Sequence, residues 1–335
     1  MIWLLVDSAT VGGIERHIAT LAEALNRAGH PTEIVLMADH GGNPWLHQLA
    51  AANLNVRTLD GTVSGLARAV KTARPALIHS HGYKANILGR LVGRMTRTPV
   101  AATFHAGERA PFPVNAYQLL DEWTSCLGGR IAVSQAIQAT VPFKSTVIQN
   151  FLLTTPQPPA TALPRRIGFV GRLSHEKAPD RFCELARRCA NVAEWHVWGD
   201  GPMRNEMERT YAANVTFHGL VTDLAPVWPS LGLLVMPSRA EGLPMAALEA
   251  LASGVPIAAS AVGGLPSLVH PGKTGWLFDG TNLEDAERAI TGWASLPDLD
   301  QHAMRLECWT LVADTFSDRT QLPKVLEVYR RVGWG

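Results

Sequence analysis

The sequence predicts an α/β protein built from two doubly wound parallel sheets. Short apolar runs typical of buried strands alternate with helical patterns along most of the chain. The arrangement of strand, glycine turn and helix at the start of the chain recurs after residue 166. The length of 335 residues, with 47% hydrophobic and 18% charged residues, suits two globular domains with substantial cores.

The first half of the chain supplies one predicted sheet. A strand at Ile2–Val6 leads through a turn containing Gly12 and Gly13 into a helix at Ile14–Ala28, and a second strand follows at Thr32–Met37. We expect these strands to be parallel, with a right-handed crossover. The spaced glycines of a dinucleotide-binding turn are missing, which disfavours a dehydrogenase. Further apolar runs predict strands at Val56–Leu59, Ala76–His79, Val100–Phe104, Ile131–Val133 and Thr146–Gln149.

The second half of the chain predicts another sheet of the same kind. Four prolines crowd the segment 153–166, which we interpret as a linker between a domain at 1–152 and a domain at 167–317. An amphipathic pattern predicts a last helix at Thr320–Val332, within the terminal segment 318–335. The predicted strands are Ile167–Val170, Trp195–Trp198, Val215–Leu220, Leu231–Met236, Pro256–Ser260 and Trp276–Phe278.

The stretch 237–264 predicts an anion site. Pro237 ends a buried strand, Gly242 lets the loop turn, and Pro244 suits the first position of a helix that runs to Ala252 before Gly254. The backbone N–H groups of Gly242, Leu243 and Met245 would then surround a helix N-terminus at the carboxyl edge of a parallel sheet. Anions bind well at such a position.

Charged side chains flank this predicted site. Glu241 and Glu249 would repel a phosphate, so we expect them to accept hydrogen bonds from sugar or ribose hydroxyls. An ordinary solvated helix is the alternative, although the apolar neighbours of Glu249 leave it little polar face. Arg172 and Lys177 follow a strand-end glycine in GRLSHEK and could bring two cations to one diphosphate, or could simply lie in a solvated basic loop.

Histidines follow two strands of the first predicted sheet. His105 lies directly after the strand Val100–Phe104, at the edge where such sheets present ligands, and a predicted acceptor loop at Glu108–Asn115 comes next. We expect His79 and His81 to point to opposite faces, one packed in the core and one in a loop, and so not to share a metal.

These motifs, in this order, resemble family 4 of the retaining glycosyltransferases that use nucleotide sugars. Glu241 and Glu249 match the signature of two glutamates separated by seven residues, within EGLPMAALEALASGVPIAA. Gly12, Gly13 and Glu15 match GGxE, and His105 in TFHAG matches the family histidine. The segment 171–178 matches GRLxxEKG except that Ala178 replaces the last glycine.

The resemblance implies the GT-B fold: two Rossmann-like domains facing a central cleft, with the last helix crossing back to the first domain. It also implies transfer of a sugar, with retention, to an acceptor hydroxyl in glycan, polysaccharide or glycolipid assembly. His105, Glu241, Arg172 and Lys177 would be catalytic. The donor would contact Gly12, Gly13, Arg172, Lys177, Gly242, Leu243, Pro244, Met245 and Glu249.

Neither a cofactor nor a metal is expected. Asp298-Leu299-Asp300 matches the D-x-D metal motif of other glycosyltransferases, but it follows Pro297 before a helix, so we interpret it as a cap. Two alternatives to a transferase remain open. One is a GT-B epimerase or hydrolase that acts on a nucleotide sugar, and the other is a non-catalytic subunit that binds one.

The composition bears on partners and compartment. A net charge of +1 disfavours a nucleic-acid binder, although residues 1–150 carry 13 basic against 9 acidic side chains, a hint of an anionic partner. Four cysteines without metal-like spacing indicate reduced cytoplasmic thiols. MIWLLV predicts a first strand rather than a signal peptide, and no apolar stretch is long enough to cross a bilayer.

One predicted helix, Tyr83–Thr96, could lie on an anionic membrane. It combines an apolar stripe with Lys84, Arg90 and Arg94. The alternative is a helix that faces the core, with solvated arginines. If the membrane interpretation is right, we expect reversal of Arg90 and Arg94 to abolish membrane binding without disturbing the fold.

Overall fold

The computed structural model describes residues 1–9, 11–105, 114–154, 164–221 and 223–335, which fall into two compact units. The first unit comprises Met1–Leu153 together with Asp318–Gly335, and the second comprises Thr154–Ser317. Most of the predicted linker at 153–166, and of the predicted acceptor loop at Glu108–Asn115, lies outside the described residues.

The first unit contains a seven-stranded parallel sheet. Its strands in chain order are Ile2–Val6 (β1), Thr32–Leu36 (β2), Asn55–Thr58 (β3), Leu77–His81 (β4), Val100–Phe104 (β5), Gly129–Ala132 (β6) and Thr146–Val147 (β7). Their order across the sheet is β3-β2-β1-β4-β5-β6-β7. The order reverses direction at β1, as in a doubly wound sheet, and ligand sites in such sheets lie at the carboxyl ends of the strands near this reversal.

The second unit contains a six-stranded parallel sheet. Its strands are Arg166–Val170 (β8), Glu194–Trp198 (β9), Thr216–Phe217 (β10), Leu233–Met236 (β11), Ile257–Ser260 (β12) and Gly275–Phe278 (β13). They are ordered β10-β9-β8-β11-β12-β13, so the direction reverses at β8. The two sheets confirm the predicted α/β class with two doubly wound, Rossmann-like units.

Helices cover both faces of the sheets. Those of the first unit are Gly13–Arg27 (α1), Trp45–Ala51 (α2), Val63–Ala73 (α3), Tyr83–Thr96 (α4), Val114–Thr124 (α5) and Gln135–Gln138 (α6). Those of the second are Pro179–Arg188 (α7), Arg204–Tyr211 (α8), Met245–Ala252 (α9), Leu283–Ala294 (α10) and Asp298–Thr315 (α11). Asp318–Arg331 (α12) belongs to the first unit.

Strand β1 shows how the first core is divided. Ile2, Leu4 and Val6 pack with buried residues of α1 and α12, while Trp3 and Leu5 pack with residues of α3 and α4. Alternate side chains of one strand therefore serve two apolar layers, which is why the strand is continuously hydrophobic.

Several element ends differ from the predicted ones, and two matter for function. Strand β4 continues to His81 rather than ending at His79. Helix α9 begins at Met245, and Pro244 is its extended N-cap residue, with φ −72° and ψ 128°, rather than its first helical residue.

The D-x-D segment is part of a helix. Pro297 is the N-cap of α11, and Asp298 and Asp300 lie in the first turn without a side-chain capping bond. The predicted capping bond is therefore wrong, although acidic residues in a first turn still favour the helix dipole. Among the described helices, none combines the length and apolar composition required to cross a membrane.

Candidate functional site

The carboxyl edge of the second sheet brings two glycine turns into contact. The N–H of Gly171, after β8, donates to the carbonyl of Trp198 at 3.0 Å, and Leu173 N donates to Asp200 O at 2.9 Å. A Cβ on Gly199 would lie 1.8 Å from the carbonyl oxygen of Gly171, so only glycine permits this approach. The contact fixes the start of the loop that carries Arg172 and Lys177.

Lys177 and Glu241 form an ion pair at this edge. Lys177 Nζ lies 2.6 Å from Glu241 Oε2, and Ser238 Oγ donates to Glu241 Oε1 at 2.8 Å. The Glu241 side chain is almost completely buried, whereas the Lys177 side chain is partly exposed. A buried carboxylate requires such partners, because an isolated buried charge is costly.

The loop before Glu241 is held by the segment after Arg172. Arg239 N donates to the carbonyl of Glu176 at 2.8 Å, and the Arg239 guanidinium binds the Asp180 carboxylate at 2.9 Å. Partial burial alone would raise the pKa of Asp180, but the hydrogen bonds and charge of Arg239 hold that pKa below its ordinary value. The two loops are therefore joined by both backbone and side-chain bonds.

Unused backbone donors lie at the start of α9. Within the part of the chain that the structure describes, the N–H groups of Gly242, Met245 and Ala246 make no hydrogen bond. Gly264 N donates to Gly242 O at 2.6 Å. At Gly263, where φ is +57°, a Cβ would lie 1.8 Å from Glu241 O. The glycine turn after β12 thus holds the loop so that its donors stay unused.

The remaining predicted residues of the second unit lie around this helix. Leu243 and Met245 turn buried side chains into the unit, and Glu249 is half-buried about 6 Å along α9 from its first residue. The carbonyl of Arg172 accepts a hydrogen bond from Ser174 N at 3.0 Å, whereas its exposed side chain makes no hydrogen bond or ion pair with the described residues. The structure therefore brings Lys177, Glu241 and the start of α9 to the carboxyl edge of the second sheet. The Arg172 guanidinium has no hydrogen-bond or ion-pair partner among the described residues.

The first unit presents a glycine turn at the start of α1. Gly12 is the extended N-cap residue, and a Cβ on Gly13 would meet nothing within 4 Å. Ser8 Oγ donates to Glu15 Oε1 at 2.6 Å, which fixes the acid of the GGxE motif across the turn. Open space at Gly13 leaves room for a ligand to approach the backbone.

The prediction that His79 and His81 point to opposite faces is wrong. Strand β4 includes both, and residues two apart on a strand share a face. Their ring centroids are 4.3 Å apart. His79 Nδ1 bonds Tyr329 Oη at 2.7 Å and His79 Nε2 bonds Thr103 Oγ1 at 2.7 Å, so both nitrogens of His79 are engaged.

The rings of His17, His81 and His105 contact one another in pairs, and we call these three residues the histidine cluster. His81 Nδ1 lies 3.1 Å from His105 Nε2. The His17 ring centroid lies 5.1 Å from that of His105 and 5.6 Å from that of His81. Burial lowers the pKa of His17 to about 4 and that of His79 to about 3, and burial followed by neighbouring histidines holds those of His81 and His105 well below the ordinary value. All four rings are therefore neutral at pH 7.

The sequence did not reveal three partners in these sites. Ser238 was available in the loop before Glu241, but nothing in the sequence relates it to a carboxylate. His17 lies on the buried face of α1 beside Ile18 and Leu21. This helical spacing was the one feature of the sequence that indicated the burial of His17. Tyr329, 250 residues from His79, had no local signal.

Comparison with known proteins identifies the family. Residues 11–142 match the model described as Glycosyltransferase Family 4, and residues 164–295 match Glycosyl transferases group 1. The chain is 30% identical over 302 residues to the 2-deoxystreptamine N-acetyl-D-glucosaminyltransferase of Streptomyces fradiae, covering 73% of this chain and 72% of that one. The chain belongs to glycosyltransferase family 4. The resemblance of its motifs to this family is thereby confirmed.

Other relatives of this family 4 glycosyltransferase agree. It is 26% identical over 378 residues to the D-inositol 3-phosphate glycosyltransferase of Mycobacterium marinum, covering 96% of this chain and 81% of that one. Anabaena HepE in complex with UDP superposes with a TM-score of 0.82 at 19% identity, covering 98% and 99% of the chains. Sucrose-phosphate synthase from Thermosynechococcus elongatus superposes with a TM-score of 0.79 at 18% identity, covering 99% of each chain. These structures establish the GT-B fold of the chain.

Proposed function

We propose that this glycosyltransferase moves a sugar from a UDP-sugar to an acceptor hydroxyl, with retention at the anomeric carbon. The observation that carries the proposal is the Lys177–Glu241 pair beside the unused N–H groups at the start of α9. A cation next to a helix N-terminus suits a diphosphate. UDP is favoured as the nucleotide because solved structures of Anabaena HepE contain UDP and UDP-glucose.

Leaving-group stabilisation would provide most of the catalysis. As the bond from C1 to the diphosphate oxygen breaks, negative charge develops on the diphosphate, and fixed donors and cations at that point lower the barrier. Lys177, the uncommitted Arg172 and the N–H groups of Gly242 and Met245 would supply them. The acceptor oxygen would form its bond to C1 on the same face as the bond that breaks, and its proton would pass to the leaving phosphate. Because these cations and N–H groups would balance the charge of the diphosphate, the proposed mechanism includes no metal.

The two glutamates would have different roles. Glu241 holds the Lys177 ammonium. Its oxygens have further lone pairs, which could accept a hydrogen bond from a donor-sugar hydroxyl. Glu249, about one turn along α9, would accept the ribose hydroxyls. In the first unit, neutral His105 would bind the transferred sugar, and Gly12 and Gly13 would allow the donor to approach the backbone.

The names of two relatives favour one class of acceptor. The names of the two transferases above specify 2-deoxystreptamine and D-inositol 3-phosphate, and both of these acceptors are cyclitols. Assembly of a glycan, polysaccharide or glycolipid is the broader proposal. A cyclitol panel therefore belongs beside saccharide and lipid-linked acceptors in any screen.

The proposal is tested in two stages. A thermal-shift screen of UDP-, GDP- and ADP-sugars should select a UDP-sugar, because a ligand at 100 times its Kd adds about 2.7 kcal/mol of stability. Product analysis by NMR, with and without acceptor and in excess EDTA, should then give an acceptor-dependent product with the donor's anomeric configuration. Inversion or a requirement for metal would refute the mechanism. Release of free sugar without transfer would indicate a hydrolase, an altered nucleotide sugar an epimerase, and binding without turnover a non-catalytic subunit.

We also propose that the first unit contacts an anionic membrane, at a surface that shares part of helix α4 with the predicted one but does not include Arg90. The expectation that Arg90 faces a membrane is wrong. The residue is 1% exposed, and its Nη1 lies 2.6 Å from Asp121 Oδ1. Arg90 therefore joins α4 to α5 inside the unit rather than lying on a surface.

The apolar surface of α4 and α5 supports a membrane contact instead. Leu91 and Met95 on α4 are 47% and 61% exposed, and Tyr117, Leu120 and Trp123 on α5 are 51%, 49% and 65% exposed. Single exposed apolar side chains need no explanation, but a group of large ones on two packed helices does. We call these five residues the α4–α5 surface.

A basic cavity lies next to this surface. It has a volume of about 930 Å³ and is lined at the beginnings of β5, β6 and β7 and the end of α12. Its lining includes Leu127, which is itself exposed, and no acidic side chain among the described residues. Its basic side chains are Arg94, Arg97, Arg130, Lys144 and Arg331. An anionic headgroup in this cavity would place acyl chains near the α4–α5 surface.

Vesicle binding tests this contact. The full chain should sediment together with phosphatidylglycerol vesicles. The double variant Arg94→Glu with Arg97→Glu should bind the vesicles at least tenfold more weakly, since each basic residue near such a surface contributes about 1 kcal/mol. Lys71→Glu with Arg74→Glu, on α3 and at its C-cap, is the matched control. Equal sedimentation of wild type and the Arg94/Arg97 variant would refute the cavity as the contact.

A further inference from the structure

The histidine cluster combines three elements of the first unit at one point. His17 comes from α1, His81 from the end of β4, and His105 from the residue after β5. One ring nitrogen from each can be chosen so that all three lie within 4.8 Å of one another. His17 and His81 are buried and His105 is partly exposed, so the cluster is closed on one side and accessible on the other.

Two nitrogens of the cluster are buried without a partner. Among the residues that the structure describes, His81 Nε2 and His17 Nδ1 make no hydrogen bond. Buried polar atoms are nearly always satisfied, so the unpartnered His17 Nδ1 calls for a ligand. An ion bound by His81 Nδ1 would not use His81 Nε2, because the two nitrogens of one imidazole direct their lone pairs away from each other. His79 is not part of the proposed site, because Tyr329 and Thr103 engage both of its nitrogens and hold its ring beside that of His81.

The spacing suits a first-row transition metal. Zinc binds imidazole nitrogen at about 2.0–2.1 Å in tetrahedral sites, so two nitrogens on one ion lie about 3.3 Å apart. His81 Nδ1 and His105 Nε2 are already 3.1 Å apart, in a hydrogen bond that an ion bound by both nitrogens would replace. The ligand atoms of the cluster lie within 4.8 Å of one another, so a movement of the His17 ring of about 1–2 Å would complete a three-histidine set with a fourth position open.

We propose that His17, His81 and His105 bind Zn²⁺ or a similar ion, and that the ion inhibits the transferase rather than serving it. His105 is the residue proposed to contact the transferred sugar, and an ion held by its ring would occupy that place. The inhibition part of this proposal rests on the proposed function, whereas the metal site itself does not.

The binding test uses the full chain and needs no activity. Titration with Co²⁺ should give one equivalent of tetrahedral d–d absorption, which Zn²⁺ should displace. His81→Gln should weaken binding at least tenfold. His196→Gln is the control, because His196 and His218 form the exposed histidine pair of the second unit, with nitrogens 2.9 Å apart. His17→Gln is a second variant in case His81→Gln fails to fold, which its thermal melting would reveal.

The outcomes separate the claims. Loss of the Co²⁺ signal in the cluster variants and its retention in His196→Gln would support the site. Undiminished Co²⁺ binding in both cluster variants, or the absence of any tetrahedral signal in the wild type, would overturn it. If Zn²⁺ binds at the cluster yet leaves sugar transfer unchanged, the site stands and the placement of the sugar beside His105 is wrong.

Discussion

At the scale of single residues, Lys177 would bind two anionic groups: the buried Glu241 carboxylate and the proposed diphosphate. The ammonium lies 2.6 Å from Glu241 Oε2. Because Glu241 holds the cation in place, little side-chain entropy should be lost when a diphosphate binds. The Arg172 side chain, which makes no hydrogen bond or ion pair with the described residues, would instead lose side-chain entropy on binding.

We expect Lys177→Met and Arg172→Met each to lower kcat/KM at least about tenfold, since a charged hydrogen bond contributes about 1.5–3 kcal/mol. Lys177→Met should also lower stability, because Glu241 would lose its cation. Lys273→Met, at an exposed lysine in a turn of the same unit, is the control. Steady-state kinetics and urea unfolding measure both effects, and wild-type kinetics in the Lys177 and Arg172 variants would contradict the proposed clamp.

Arg90 provides a second test at this scale. Arg90→Glu would place two carboxylates side by side in the interior, and breaking a buried ion pair costs about 3–5 kcal/mol. Arg94→Glu, one turn further along α4 and exposed, should change the free energy of unfolding by less than about 0.5 kcal/mol. Urea unfolding compares the two variants. Similar stabilities would contradict the buried pair of Arg90 and Asp121.

At the scale of elements, the turn between β8 and α7 departs from the family pattern at one position. Ala178 is the N-cap residue of α7 and has φ +55° and ψ 51°, in the left-handed region. This conformation costs a residue with a Cβ roughly 1–2 kcal/mol, which explains the glycine of the family pattern. The turn keeps its shape because Ala178 is completely buried and its N–H is bonded to Ser174 O.

Ala178→Gly should therefore be tolerated, since relief of the left-handed strain offsets the lost methyl group and the greater freedom of the unfolded chain. Ala186→Gly is the matched control: it is equally buried and lies in the same helix, but with no positive φ. We expect Ala186→Gly to be more destabilising by at least about 1 kcal/mol. Equal losses in denaturant unfolding would mean that Ala178 carries no strain.

At the scale of the whole molecule, the sequence predicted most of the fold because hydrophobic periodicity is local. Buried parallel strands are continuous apolar runs, so every described strand but one was placed to within two residues at each end. Strand β10 is the exception, since Thr216–Phe217 is much shorter than the predicted Val215–Leu220. Glycine and proline marked many of the turns, because glycine adopts positive φ most readily and proline lacks an N–H.

Contacts between distant parts of the chain could not be predicted in this way. The Lys177–Glu241 pair spans 64 residues and the contact of His79 with Tyr329 spans 250. The burial of Arg90 depends on Asp121 of another helix, which the pattern of α4 alone cannot reveal. The error over His79 and His81 was of a different kind. Residues two apart on a strand lie on the same face, so the sequence alone could have placed both histidines correctly.

The most direct test of the central claim is calorimetry of UDP and of the intact donor with three forms of the protein: wild type, Glu249→Gln and Glu241→Gln. If α9 holds the nucleotide as proposed, Glu249→Gln should weaken binding of UDP itself at least about fivefold, because a ribose hydrogen bond is lost. Glu241→Gln should bind UDP with less change and should impair turnover of the full donor. The opposite pattern would reverse the two roles, and unchanged binding and turnover in both variants would contradict the proposed site.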